Sequence, residues 1–96
     1  MVTFSFRQIG ENLGTRPLGK QVREQLLPLI QQNDRVVLDF TGVNVVSNSF
    51  ADECIAKLLL SMSLTDLKAH TTFRGLNPVA ADSVLTALQR RHLAMA

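Results

Sequence analysis

The chain has 96 residues, of which 46% are apolar and 19% charged, and its formal net charge is +2. This composition excludes a disordered tail and supplies the core of a single domain over residues 1–96. The one cysteine, Cys54, excludes an internal disulfide and favours a reducing compartment. No apolar run approaches the roughly 18 residues of a membrane span. Residues 1–8 lack the pattern of a signal peptide, so we expect a cytoplasmic protein with no membrane partner.

The basic residues are scattered along the chain. Only Arg90, Arg91 and His92 stand together, and we interpret the two arginines as cations near a helix C-terminus. Proteins that bind nucleic acids usually carry a concentrated basic face, and those that bind single strands add stacking aromatic residues. The chain has no Trp and no Tyr. Nucleic-acid binding is therefore not expected.

Alternating apolar and polar residues over 2–8 predict a strand at or near a sheet edge. Residues 10–14 are typical of a turn or loop. A helix is predicted from Arg16, with Thr15 as the N-cap and a proline in its first turn. Pro28 lies inside that helical pattern, and because proline lacks a backbone N–H we expect the helix to kink or end there.

The apolar run within residues 35–40 predicts a strand that is covered on both faces. A turn and a short apolar run follow over residues 41–46. The second helix is predicted to start near Phe50 with Ser49 as its N-cap. Its core stripe follows helical spacing and consists of Ala51, Cys54, Ile55, Leu58, Leu59 and Met62.

A third strand is predicted over residues 70–75, and Asn77 followed by proline predicts the start of a third helix. The buried face of that helix is predicted to hold Ala81, Val84, Leu85, Leu88 and His92. The order β-α-β-α-β-α predicts an α/β fold with a mostly parallel sheet covered by helices. The predicted core comprises Phe4, Phe6, Val22, Leu26, Val37, Leu38, Ile55, Leu58, Leu59, Phe73, Val84 and Leu88.

Signals for catalysis are sparse. The chain has no glycine-rich phosphate-binding motif, and His70 and His92 have no neighbouring ligand at metal spacing. Cys54 falls on the apolar stripe of the second helix, where a free cysteine behaves as a small hydrophobic residue. We therefore expect no catalytic residue, no metal and no cofactor.

The polar stretch Ser47, Asn48 and Ser49 has two interpretations. In the first, Ser49 caps the second helix, with Asp52 at the position of a capping box. In the second, residues 47–53, which we call the crest, form an exposed surface that contacts a partner. Capping residues of this kind are common at helix starts, so the sequence favours the first interpretation.

Asp39 also has two interpretations. Its carboxylate can hydrogen-bond the turn formed by Thr41 and Gly42, as Asp often does before such residues. Alternatively, it lies at the carboxyl end of a parallel strand, where α/β folds place functional groups. Because no His, Lys or second carboxylate is close in sequence, the structural role is favoured.

The stretch LDFTGVNVVSNSFADE at residues 38–53 resembles the core motif of STAS domains, the fold of bacterial anti-sigma-factor antagonists. The closer resemblance is to a related STAS-like family of unknown function. Three upstream residues resemble the entry to that family's first helix: Gly14, Arg16 and Gly19. The residues that carry the specific part of the resemblance are Asp39, Phe40, Val43, Ser49, Phe50, Ala51, Asp52 and Glu53.

In anti-sigma-factor antagonists, a serine at the tip of the second helix is phosphorylated by a kinase that is also the anti-sigma factor. The resemblance places that acceptor at Asn48 and the preceding Asp at Ser47, so the usual acceptor is absent here. Ser47 and Ser49 flank it as candidate phosphoacceptors. The resemblance implies a non-catalytic regulatory module for partner switching that docks on a histidine-kinase-like ATPase or an anti-sigma-type kinase. Its site would comprise Ser47, Asn48, Ser49, Phe50, Asp52 and Glu53. The alternative is a sensor domain that binds a small ligand or a nucleotide.

Overall fold

A computed structural model describes residues 1–95, with side chains described for residues 1–94. Short 3-10 helices at Phe6–Gln8 and Ala56–Leu60 interrupt the regular elements. The strands and helices, in chain order, are β1 (Val2–Ser5), β2 (Asn12–Leu13), α1 (Arg16–Gln32), β3 (Val36–Asp39), β4 (Val45–Val46), α2 (Asn48–Cys54), α3 (Leu64–His70), β5 (Thr71–Arg74) and α4 (Pro78–Met95).

The strands form two small sheets in which every pairing is parallel. β3 lies between β1 and β5 in a three-stranded sheet, and β2 pairs with β4 in a two-stranded one. Val36, Val37 and Leu38 of β3 are all buried, which confirms a strand covered on both faces. The predicted α/β class with mostly parallel strands and helix cover is confirmed. The pairing of β2 with β4 was not predicted, because two-residue strands leave no periodic pattern in the sequence.

The N-terminal strand is shorter than predicted. β1 ends at Ser5, and Phe6 begins a 3-10 turn that places its ring in the core. The ring of Phe6 stacks on Phe40 with 4.0 Å between centroids and meets Phe4 edge-on at 4.9 Å. This aromatic cluster packs the 3-10 turn at Phe6–Gln8 against β1 and against the residue that follows β3. The prediction of a continuous strand over residues 2–8 was therefore wrong for its second half.

The start of α1 is confirmed. The Thr15 hydroxyl accepts a hydrogen bond from the backbone N–H of Leu18 at 3.3 Å, as an N-cap does. The prediction that Pro28 could end this helix was wrong, since α1 continues to Gln32. Pro28 is on the exposed side of the helix. The carbonyl four residues earlier, which loses its helical partner, can therefore be satisfied by water.

The second helix begins earlier and ends sooner than predicted. α2 starts at Asn48 instead of near Phe50, and it gives way after Cys54 to the 3-10 helix at Ala56–Leu60. A further helix, α3, occupies residues 64–70, which were not predicted to be helical. The predicted stripe is nevertheless inside: all of its members are buried except Met62, which is half-buried and packs against the core.

The last helix presents only part of the predicted face to the core, since Val84 is buried and Leu88 is partly buried. Its N-cap is confirmed, because the Asn77 side chain accepts from the N–H of Ala80 at 2.8 Å. Leu85, however, is 57% exposed, and His92 is exposed as well. Leu85 instead lines an apolar groove between α3 and α4. The buried positions of α4 are Ala80, Val84 and Ala87.

The predicted core is confirmed in its main part. Ten of its twelve members are buried, and Phe73 and Leu88 are partly buried against it. Between residues 1 and 95, no helix combines the length and the apolar character needed to cross a membrane.

Candidate functional site

Ser47 is the residue that caps α2. Its hydroxyl accepts from the backbone N–H of Phe50 at 3.0 Å and donates to the carbonyl of Gly14 at 2.9 Å. The prediction that Ser49 is the cap was wrong. The two serines are equally suited to the role by chemistry. Ser47 is selected because it follows β4 and lies beside the loop after β2, where the Gly14 carbonyl is available.

The crest divides into an exposed part and a buried part. Asn48 is exposed, and Ser47, Ser49 and Asp52 are half-buried. Phe50 is fully buried, and only 7% of Glu53 is exposed. The expectation that Phe50 and Glu53 lie on a contact surface is therefore corrected: they are beneath it. Both side chains fix the position of the residues that face solvent.

Asp52 is held by two arginines from different helices. Arg16 donates to its Oδ2 at 2.9 Å, and Arg91 donates to both carboxylate oxygens, at 2.7 Å to Oδ2 and 2.9 Å to Oδ1. Burial by itself disfavours the charged carboxylate. The hydrogen bonds from Arg16 and Arg91 outweigh that effect and lower the pKa of Asp52 below its usual range. Asp52 thus joins the start of α1 to the C-terminal part of α4.

Glu53 is the centre of a second set of ion pairs beneath the crest. Its carboxylate lies 2.9 Å from Arg23, 3.0 Å from Lys57 and 3.3 Å from Arg16. Burial opposes its ionisation, but these three donors together lower the pKa of Glu53. The helices approach closely here, since a Cβ on Gly19 would lie 2.9 Å from the Glu53 Cβ. The glycine lets α1 pack against α2 at this point.

A cavity of about 270 Å³ opens beside the crest, between α2 and α4. It was not predicted, because its walls come from residues more than thirty positions apart in the sequence. Arg90 lines this cavity, and Arg91 reaches Asp52. Our interpretation of these two residues as cations at a helix end was therefore incomplete. The full lining is Arg16, Asn48, Ser49, Asp52, Thr86, Ala87 and Arg90.

The strand-end residues form a separate structural unit. Asp39 accepts from the Thr41 hydroxyl at 2.7 Å, the Thr41 N–H at 3.0 Å and Arg74 at 3.0 Å. These bonds lower the pKa of Asp39 from 3.8 to about 2, and the bond from the Thr41 hydroxyl has the largest effect. Gly42 completes the turn with a φ of 83°, a conformation that favours glycine. Asp39 and the crest share no hydrogen-bond partner among the described residues, and the bonds to Thr41 agree with the interpretation in which Asp39 holds the turn.

Cys54 lies in the core with none of its surface exposed, and burial raises the pKa of its thiol to about 12. A thiol in this state does not supply a reactive thiolate at neutral pH. Within residues 1–95, no group of three or more His, Cys, Asp or Glu side chains is arranged to hold a metal ion.

Comparison with known proteins is consistent with this architecture. A family model for a STAS-like domain of unknown function matches residues 19–80. The matched stretch includes α1 from Gly19 onward, the central strand β3, the whole crest and β5. The chain therefore belongs to the STAS-like family of unknown function. Neither a curated protein nor a solved structure showed a significant match.

Proposed function

We propose that this chain is a non-catalytic regulatory module that docks on a histidine-kinase-like ATPase through the exposed part of the crest. Membership of the STAS-like family supports a STAS-type module. The observation that carries the docking proposal is the exposure of Asn48 directly after a well-fixed N-cap. A partner therefore meets a side chain whose backbone is already ordered, which lowers the entropic cost of association.

The support beneath the crest is extensive. Ser47 is fixed through Gly14, Phe50 is anchored in the core, and Asp52 is tied to Arg91. Rigid presentation of a few exposed polar groups is typical of interaction modules whose backbone changes little on binding. Ser47 and Asp52 are thus engaged in holding the surface, while Asn48 and Ser49 remain available to a partner.

Of the two candidate phosphoacceptors, Ser49 is better placed than Ser47. The Ser47 hydroxyl is engaged in two hydrogen bonds that hold the start of α2. The hydroxyl of Ser49 makes no hydrogen bond within residues 1–95, and the residue is half-buried at the edge of the cavity. Phosphorylation at Ser49 would place a charge of about −2 next to Asn48 without removing the cap. We propose it as the modification by which such docking would be controlled.

The test is the affinity of a candidate histidine-kinase-like ATPase for the wild-type protein and for Asn48→Asp and Ser49→Asp. Each change adds one charge that must be desolvated at the contact, so we expect weaker binding with unchanged folding stability. Gln25→Glu is the matched control, because it makes the same kind of change on an exposed part of α1, about 13 Å along the helix from Arg16. Equal affinities for all four proteins would show that the crest is not part of the interface with the ATPase.

A further inference from the structure

Five of the seven residues that line the cavity between α2 and α4 carry side-chain hydrogen-bond donors, and the other two are Asp52 and Ala87. Arg16 and Arg90 face it from two helices, and the side chains of Asn48, Ser49 and Thr86 complete its wall. Among residues 1–95, the side chains of Asn48, Ser49, Thr86 and Arg90 make no hydrogen bond and no ion pair within the protein. A cluster of donors without protein partners around one cavity is suited to an acceptor from outside.

The charge of this cavity is positive although it contains Asp52. Both oxygens of Asp52 are occupied by guanidinium groups, and Arg91, which makes three of these hydrogen bonds, does not line the cavity. Arg91 therefore compensates the negative charge of the Asp52 carboxylate from outside the cavity. Arg16 uses only its Nη1 in these contacts, which leaves its other N–H groups available. Arg90 forms no direct ion pair with a carboxylate among the described residues.

We propose that this cavity binds a phosphate group. Guanidinium groups match the geometry of phosphate oxygens, and hydroxyl and amide side chains add further donors. A volume of about 270 Å³ is just below the range of about 300–1,000 Å³ that is usual for small-molecule sites. The cavity thus suits a phosphate with a short substituent, such as a small phosphate ester or a phosphorylated side chain of a partner. The cavity shares Asn48 and Ser49 with the exposed part of the crest, but phosphate binding is measured on the isolated chain and does not require docking on an ATPase.

The test is a calorimetric titration of the full chain with sodium phosphate and with a short phosphoserine peptide, both at constant ionic strength. We expect saturable binding with one site. Arg90→Gln should weaken it by about tenfold to a hundredfold, the effect of removing a charge-assisted hydrogen bond. Thr86→Val, which keeps the shape and removes one hydroxyl, should weaken it by a smaller factor. Both positions are on the surface side of α4, and circular dichroism would show that the variants remain folded.

Lys68→Gln is the matched control, because it removes one positive charge from an exposed residue that does not line this cavity. Retained affinity in this variant, with loss in Arg90→Gln, supports the proposal. A phosphopeptide that binds much more tightly than free phosphate identifies a phosphorylated partner as the source. Similar affinities identify a small free phosphate compound. No saturable binding to the wild-type chain, or equal losses in Arg90→Gln and Lys68→Gln, overturns the proposal.

Discussion

The guanidinium of Arg91 donates hydrogen bonds to the carboxylate of Asp52 from both its Nε and its Nη2, although the two residues are 39 positions apart in the sequence. The two side chains are largely buried, with 27% and 20% of their surface exposed. Because two guanidinium nitrogens donate to one carboxylate, the contact fixes the angle between α2 and α4 as well as their distance. It also holds the wall of the cavity and the exposed part of the crest in one arrangement.

A double-mutant cycle on Asp52→Ala and Arg91→Ala should give a coupling energy within about 0.5–3 kcal/mol, because the two side chains share several charge-assisted hydrogen bonds. The measurement is urea unfolding of the wild type, the two single variants and the double variant. A parallel cycle with Arg90→Ala in place of Arg91→Ala is the control. Arg90 makes no hydrogen bond to Asp52, so its coupling should be smaller. Equal coupling in the two cycles would show that Asp52 is not paired specifically with Arg91.

Ser47→Ala should lower the free energy of unfolding by about 0.5–2 kcal/mol, the usual cost of losing an N-cap. The change also leaves the Gly14 carbonyl without its partner. Ser49→Ala is the matched control and should change stability by less than about 0.5 kcal/mol, as surface substitutions usually do. Denaturant titration of both variants decides between the two serines, and a larger loss for Ser49→Ala would reverse the assignment of the cap.

Stability should fall as the solution is acidified below about pH 4. Asp39 has a pKa of about 2 in the folded chain against an ordinary value of 3.8. Its ionised form therefore favours the folded state above that ordinary value, and the contribution is lost as the pH falls toward 2. The lowered pKa values of Asp52 and Glu53 act in the same direction.

Urea titrations from about pH 6 to about pH 3 measure this dependence. Asp39→Asn should make the stability less dependent on pH over the lower part of that range. Asp34→Asn is the control, because Asp34 is exposed and its side chain forms no ion pair within the described residues. Identical pH profiles for wild type and Asp39→Asn would show that the bonds from Thr41 and Arg74 do not favour the charged form.

Cys54 should react slowly with a thiol reagent in the folded protein and rapidly once the chain is unfolded. Burial raises its pKa to about 12 and also denies the reagent access. The measurement is the rate of labelling by a chromogenic disulfide with and without denaturant. Fast labelling of the folded protein would place the thiol at the surface and reopen a redox role.

Patterns confined to a few neighbouring residues predicted much of this fold. The apolar run of β3, the caps at Thr15 and Asn77, and the stripe from Ala51 to Leu59 each depend on local spacing. Local spacing determines which face of an element is apolar, and burial of that face follows from the hydrophobic effect. The α/β class with parallel strands was therefore predictable, as was the position of the crest at the start of a helix that follows an apolar run.

The face of α4 was decided by tertiary packing. Apolar residues occur on several sides of this helix, so periodicity alone does not select one. The core accepts the side that carries Ala80 and Ala87, whose small side chains permit close approach, and Leu85 is left outside. The two-residue strands β2 and β4 likewise form because they pair with each other in the folded chain. Neither has enough residues to show a periodic pattern in the sequence.

The chemistry around the crest was also determined partly by the local sequence and partly by tertiary packing. By itself, the sequence determined that polar residues from Ser47 to Ser49 precede a helix, and its resemblance to STAS domains agreed with the family match. The choice of Ser47 as the cap, the burial of Glu53 and the cavity lined by Arg16 and Arg90 were decided only in the folded chain. Each involves at least one distant residue: Gly14 is 33 positions from Ser47, and Arg16 is 37 positions from Glu53. Local sequence spacing does not reveal such partners, because a carboxylate or hydroxyl is hydrogen-bonded to water until folding brings them to it.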